Sequence, residues 1–316
     1  MTQPTKNFPV LDSSQILHNL QTRSNPFWPQ YYAYFSTWLG GITKDPHWMV
    51  LPMDDHMVHR GDGVFEALKS VDGKVFLMKE HLQRLASSAQ SIGIQLPFSL
   101  DEMGDLILQT LAVAGQKDTL IRLFVSRGPG GFTTNPYDSL GSQMYIAITK
   151  LSVLRPEAYE QGVRVGRSFI PVKESWLAQV KSCNYLPNVM MKKEAVDRGL
   201  DFTIGFDRDQ CIAESSTENI AIVDESGILT HPPFENILRG TTMVKTFSLA
   251  KNAGIRTAIR SLREEDLIRA QEVMMIGTTL DVLPVIEYEN RKIGTGQVGP
   301  RARQLLELLR QEVRRT

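Results

Sequence analysis

The apolar and polar positions divide the chain into segments of two rhythms. In "KEHLQRLASSAQSIGI", residues 79–94, Leu82, Leu85, Ala86, Ala89 and Ile92 fall three and four apart, the spacing that keeps one face of a helix apolar. Ser99, followed three residues on by Glu102, has the form of a capping box opening a second helix through Met103, Leu106, Ile107 and Leu111. "KVFLM" (74–78), "TLIRLFVSRG" (119–128) and "QMYIAITK" (143–150) read as strands, the last two joined by the Gly/Pro loop "GPGGFTTNPYDSLGS". A boundary falls at "LSVLRPEAYEQG", residues 151–162. Beyond it "VRVGRSF" reads as a strand, "NVMMKKEAVDRGL" as a helix ending at Gly199, and "FTIGFDRDQCIAESSTENIAIVDESGILT" as a run of hairpins. The chain then alternates helix and strand up to the amphipathic "RARQLLELLRQEVRR". Residues 1–28 are polar with Pro, Asn and Ser, and read as an arm, partly mobile or packed on a partner, with order beginning near Tyr31.

Composition narrows the class. At 316 residues the chain exceeds a typical single core, so two domains are expected. The 35 Lys and Arg balance 35 Asp and Glu, which gives no electrostatic footprint for nucleic acid or an anionic membrane. Cys183 and Cys211 are too few for a disulfide framework, and the start carries no basic region followed by an apolar run. No apolar run is long enough to span a bilayer, and a cytoplasmic enzyme is expected.

Three groups of residues carry candidate chemistry. In "QVKSCNYLPN", Lys181 follows Val180 and precedes Ser182 and Cys183, a context that permits a desolvated, nucleophilic amine but equally a surface lysine. In "CIAESSTENIAIV", Glu214 lies among alanine and serines, where a carboxylate could face the ring nitrogen of a pyridine cofactor or simply be solvated. Arg84 on the first helix, Gly240, Thr241 and Thr242 in "LRGTTMVKT", and Gly277, Thr278 and Thr279 in "IGTTLDVLP" have the makings of a phosphate cradle of guanidinium, hydroxyls and helix-terminal amides, although singly Gly-Thr-Thr reads as a helix cap and Arg84 as a surface ion-pair former.

Taken in order and at their spacings, "MDDHMVHRGDGVF", "EHLQRLASSA", "VKSCNYLPN", "CIAESSTENIAIV", "ILRGTTM" and "GTTLDVLPVIE" resemble the class IV aminotransferases, the fold-type IV pyridoxal-phosphate enzymes. The resemblance runs from about residue 31 to the C-terminus and is strongest to the plant-type D-amino-acid transaminase and aminodeoxychorismate lyase group. It implies an α+β fold: a small N-terminal domain over 29–152, a linker over 153–162 and a larger C-terminal domain over 163–316, with pyridoxal 5'-phosphate in the cleft between the domains. It also implies a homodimer.

Residue by residue, it implies that Lys181 forms the Schiff base and moves the proton at the substrate's α-carbon, and that Glu214 pairs with the ring nitrogen. Arg84, Thr241, Thr242 and Thr278 would hold the phosphate, Tyr185 would approach the phenolic oxygen, and Phe65 and Thr279 would line the substrate pocket. D-amino-acid relatives of the Bacillus type carry a carboxylate-binding arginine where this chain reads "SRGPGGFTTNP", with Phe132 near its place. Arg122 or Arg127 would therefore have to serve. The expected activity is transamination between an amino acid, D- or branched-chain, and a 2-oxo acid. The alternatives are cleavage of aminodeoxychorismate to 4-aminobenzoate and pyruvate, and a non-catalytic cofactor-binding relative.

Other features read as bland. His56 and His59 lack a third metal ligand nearby, and "SRGPGG" lacks the Gly-Lys-Ser/Thr ending of a nucleotide loop. Cys183, two residues from Lys181, reads as a small buried filler.

Overall fold

The computed structural model describes residues 7–315. Order begins earlier than Tyr31: α1 (Ser13–Thr22) opens on a reciprocal cap in which Asp12 accepts from the Gln15 amide and Gln15 accepts from the Asp12 amide. This helix buries none of its residues, and Ile16 and Leu17 stay 47% and 46% exposed, so capping and not packing defines it. The part of the arm before residue 7 lies outside the described residues.

The first sheet is antiparallel throughout. It contains β1 (Tyr31–Ser36), β2 (Gly41–Thr43), β3 (Gly63–Val71), β4 (Lys74–Val75), β5 (Thr119–Ser126) and β6 (Gln143–Lys150), in the order β2-β1-β6-β5-β3-β4. Before β3, the short α2 (His56–Arg60) ends at Gly61 in the left-handed region. Two helices, α3 (Met78–Ser91) and α4 (Leu100–Ala114), cover one face, and the Ser99–Glu102 capping box opens the second. Alternation along β3 sends Val64, Glu66, Leu68 and Ser70 inward. Val64 and Leu68 meet Leu82, Leu85, Met103 and Ile107 of the two helices in one core.

The stretch 74–78 is not one strand. After the Asp72-Gly73 turn only Lys74 and Val75 pair back onto β3, Leu77 turns left-handed, and α3 starts at Met78. Phe76 and Leu77 leave the first core altogether and sit in the second, against Met243, Val282 and Leu305. Their apolar character, which mimics a strand, belongs to the seam between the two halves. Lys69 adds a buried ion pair to Asp281 across the same seam.

Between the two sheets the chain forms α5 (Pro156–Gln161). The second sheet is mixed: β7 (Val163–Arg167), β8 (Phe202–Ile204), β9 (Asn219–Val223), β10 (Leu229–His231), β11 (Thr257–Ile259), β12 (Glu272–Gly277), β13 (Asp281–Tyr288) and β14 (Arg291–Lys292). They run β11-β10-β9-β12-β13-β7-β8, with β14 off β13. The intervening helices are α6 (Trp176–Gln179), α7 (Leu186–Asp197), α8 (Thr241–Asn252), α9 (Glu264–Arg269) and α10 (Pro300–Arg315). The expected run of hairpins over 202–230 holds only for β9–β10. The strand β8 pairs in parallel with β7, and residues between 205 and 218 make isolated bridges, Phe206 to Ile212 and Glu214 to Asn219. That irregular stretch frees Glu214 from a ladder and sets it at the rim of a cleft.

Candidate active site

Lys181 is not on a strand of its own. The chain at 181–183 runs back against the start of β3: the Lys181 carbonyl accepts from Phe65 N–H at 3.0 Å, and Cys183 N–H donates to the Gly63 carbonyl at 2.8 Å. The Lys181 amide donates to Ser88 Oγ on α3 at 3.1 Å. Backbone contacts thus fix the residue and leave its side chain free to point into the cleft. Its Nζ lies 4.7 Å from the Phe65 ring centroid and 5.8 Å from that of Tyr185, and the two rings meet edge-on at 5.0 Å. Burial first, and then the charge of Arg84, bring the ammonium down to about 8, against a smaller upward pull from Glu66 and Glu214.

A second cluster stands at the other end of the cleft. Arg84 donates Nε and Nη2 to the two Glu66 oxygens, each at 2.7 Å, and Nη1 to the Arg239 carbonyl at 3.1 Å. His81 Nδ1 meets Glu66 Oε2 at 2.7 Å, and its Nε2 lies 3.1 Å from Thr241 Oγ1. Burial pushes the Glu66 carboxyl up, but Arg84 and His81 outweigh it and hold the group at about 2. Glu66 is therefore an anion that fixes a cation at the cleft wall. Beside it α8 begins at Gly240, which no side chain caps, so the first-turn amides face the cleft with no helical acceptor. Thr242 Oγ1 and Thr278 Oγ1 stand 3.4 Å apart, one from the start of α8 and one from the turn after β12.

Glu214 faces this cluster from the irregular stretch before β9. Its Oε2 accepts from Leu238 N–H at 3.3 Å, and burial raises its carboxyl above the usual range, partly offset by Lys173 and Lys181.

Eight of the residues singled out in the sequence line one cavity: Arg84, Lys181, Glu214, Gly240, Thr241, Thr242, Gly277 and Thr278. Tyr185 lines an adjoining space shared with Lys181 and Glu214, and Phe65 packs on both Lys181 and Tyr185. Three others stand apart. Arg127 commits four of its five N–H donors, Nε and Nη2 to Asp62 and Nη1 and Nη2 to the Gly93 and Ile92 carbonyls, so its guanidinium closes a turn, whereas Arg84 commits three and keeps two for a ligand. Arg122 lies exposed on β5, in register with Ala67, on the face that carries Phe65 and Phe124. Thr279 lines a different cavity of about 630 Å³, between Lys69, α5 and α10.

His56 and His59 stand with ring centroids 5.0 Å apart, and among the described residues no three His, Cys, Asp or Glu converge as metal ligands. Burial pushes the Cys183 thiol up to about 12, which keeps it from acting as a thiolate.

Sequence reading missed Glu66, His81, Lys173, Asn188 and Asn219, all of which take part in or line these cavities. Glu66 carried a usable signal, since the alternation that buries Val64 and Leu68 also buries the carboxylate between them and demands a cationic partner.

The cleft therefore offers an amine of lowered basicity, a half-buried carboxylate, and an arginine with helix-terminal amides and hydroxyls, a donor set that fits a phosphorylated pyridine aldehyde. The comparisons with known proteins agree. The chain matches the family model of class IV aminotransferases over residues 63–288, and it belongs to that family. It is 36% identical to the chloroplastic D-amino-acid transaminase of Arabidopsis thaliana, over 98% of this chain and 83% of that protein. To a putative branched-chain-amino-acid aminotransferase of Methanocaldococcus jannaschii it is 35% identical, over 80% of this chain and 88% of the other. Among solved structures, the Escherichia coli branched-chain amino acid aminotransferase superposes with a TM-score of 0.83 at 27% identity, covering 88% of this chain and 93% of that one. The T.th. branched-chain amino acid aminotransferase, whose structure contains pyridoxamine 5'-phosphate, superposes with a TM-score of 0.85 at 25% identity, covering 90% and 94%. The fold is that of the fold-type IV enzymes, and the cofactor of the family is pyridoxal phosphate. No helix among the described residues is long and apolar enough to cross a membrane.

Proposed function

We propose that this transaminase moves the amino group of a D-amino acid to a 2-oxo acid such as 2-oxoglutarate. The observation that carries the reading is the convergence of Lys181, Glu214 and the Arg84–Thr242–Thr278 cluster on one cavity. The choice of a D-amino acid rests on the likeness to the Arabidopsis transaminase over nearly the whole chain.

Bound there, pyridoxal phosphate supplies an electron sink for the bonds at the substrate's α-carbon. The residues do the rest. Lys181 holds the cofactor covalently and, as an amine near neutrality, takes and returns the α-proton. Glu214 holds a proton on the ring nitrogen. Arg84, oriented by Glu66, shares the phosphate dianion with the first-turn amides of α8 and the hydroxyls of Thr241, Thr242 and Thr278. Phe65 and Tyr185, packed on each other and on Lys181, would wall the substrate side and exclude water, and Tyr185 would be the hydroxyl available to the phenolic oxygen. Arg122, outside the cofactor cavity but exposed on the Phe65 face of the first sheet, is the arginine left to receive the substrate carboxylate, because Arg127 is held by Asp62.

A carrier without catalysis is disfavoured, because it would have no use for a lysine of lowered basicity facing a half-buried carboxylate. The lyase reading has the "SRGPGG" segment, which resembles the lyase pattern, but no site geometry of its own, and the putative 4-amino-4-deoxychorismate lyase of Legionella pneumophila, at 22% identity, shares the fold. We further infer the domain division at 153–162, a homodimer covering the exposed apolar residues of the arm, and a cytoplasmic location consistent with two unpaired cysteines. Half-reactions with matched D- and L-amino acids test the reading. Loss of the visible band with D-amino acids and release of the matching 2-oxo acid supports it, whereas conversion by L-amino acids alone overturns the stereochemistry. Pyruvate from aminodeoxychorismate, with no amino acid reacting, would favour the lyase.

A further inference from the structure

Between β7 and Lys181 the chain crosses the cleft in a loop that carries a second lysine, Lys173. The loop is anchored on both sides of that residue. Val172 packs onto Gly205, where a Cβ would come within 2.2 Å of Val172 Cγ1 and 3.1 Å of the Glu214 carbonyl. On the other side Glu174 accepts from the Arg208 amide at 2.9 Å and pairs with its guanidinium at 2.8 Å. Both anchors lie on the stretch that leads to Glu214. Lys173 is thereby held over the cleft, where it lines one space with Lys181, Tyr185, Asn188 and Glu214.

Its ammonium has no hydrogen bond or ion pair with any described residue. It lies 5.4 Å from the centroid of the Tyr185 ring, which Lys181 also approaches, at 5.8 Å. Two ammonium groups thus share one aromatic ring, and neither ion-pairs with a carboxylate among the described residues. In the same wall Asn188, 8% exposed, donates to the Ser216 carbonyl and leaves its own Oδ1 without a partner among the described residues.

We propose that Lys173 is a positioning residue of the active site, an unpaired charge that keeps Glu214 anionic and Lys181 in its neutral, reactive form. The inference rests on the cofactor site proposed above. The charges around each group are consistent with it. Glu214 faces Lys173, Lys181 and Glu218, and of these Lys173 pulls most strongly toward ionisation. Lys181 faces Arg84, Glu66, Glu214 and Lys173, and the two cations push it toward the neutral amine while the two carboxylates oppose them. Burial lowers the basicity of Lys173 itself, and Glu214, ahead of Cys183, is the group that pulls it back toward the charged form, so Lys173 and Glu214 sustain each other's charge. A half-buried carboxylate left without such a cation would protonate and could no longer hold a proton on a ring nitrogen.

The test compares Lys173→Met and Lys173→Arg with the wild-type full chain stripped of cofactor, and follows capture of added pyridoxal phosphate against pH. Capture needs the neutral Lys181 amine, so its rate traces that group. We expect the midpoint to rise by roughly a few tenths of a pH unit in K173M, since the weaker of the two nearby cations is gone, and to stay at the wild-type value in K173R. Retention of bound cofactor in K173M should also fail at a higher pH on the acid side, as Glu214 protonates earlier. A K173M midpoint equal to wild type overturns the proposal, and so does a K173R shift as large as that of K173M, which would mark a packing role. If the wild-type chain captures no cofactor at any pH, the proposed cofactor site itself is wrong, a result separate from either of these.

Discussion

Arg84 and Glu66 close on each other through two parallel hydrogen bonds of 2.7 Å, Nε to Oε1 and Nη2 to Oε2, in a wall where Glu66 has no solvent exposure. Breaking one side of a buried charge pair leaves the other uncompensated, which costs about 3–5 kcal/mol. We expect Glu66→Ala to lose stability on that scale in urea titration. Glu66→Gln, which keeps the shape and some hydrogen bonding, should lose less, and both should release cofactor more readily because Arg84 is no longer aimed.

The same carboxylate makes stability depend on acid. Its folded value of about 2 lies below its ordinary 4.5, so the ionised form is preferred in the native state. The stabilisation is full above the unfolded value and disappears as pH falls through 4.5 toward about 2. Acid titration of wild type against Glu66→Gln, followed by circular dichroism, should show the two stabilities converging across that window and parallel above it.

Gly240 opens α8 with no room for a side chain. A Cβ there would stand 1.9 Å from Asn219 Oδ1 and 3.3 Å from Met243 Cβ, while Asn219 Nδ2 donates to the Leu238 carbonyl at 3.0 Å. Gly240→Ala must displace Asn219 and disturb Leu238, whose amide serves Glu214. We expect a stability loss of about 1–3 kcal/mol and weaker cofactor binding, read by equilibrium dialysis.

The two candidate carboxylate arginines separate cleanly. Arg122 is exposed and its side chain pairs with none of the described residues, so Arg122→Ala should leave thermal stability near wild type while raising KM about tenfold or more, the value of one charge-assisted hydrogen bond. Arg127→Ala strips Asp62 and two loop carbonyls of their donor and should lower stability first. A raised KM in the Arg127 variant with unchanged melting would reverse the assignment.

Much of the fold and site was legible in the sequence because local signals and global placement coincide there. The capping box at Ser99, the helix start at Gly240 and the strand-to-turn step at Gly277 are all dictated by short-range chemistry, and the last two deliver their polar groups to the cleft. The failures share a cause as well. Phe76 and Leu77 read as strand because apolar residues that cross to a second core look the same as those that stay in the first. Glu66, His81 and Lys173 went unseen because their meaning depends on partners outside their own segment, such as His81, 15 residues on, for Glu66 and Glu214 for Lys173. Arg127 shows the converse: nothing local reveals that Asp62, 65 residues earlier, has already taken it.

The whole site depends on Lys181 being the lysine that holds the cofactor. Borohydride reduction of the coloured protein, digestion and mass spectrometry locate the attachment directly. We expect the phosphopyridoxyl mass on the peptide containing Lys181, and none in the Lys181→Ala variant. Label on another lysine, Lys173 above all, or a protein that never takes up colour or label, would contradict the site described here.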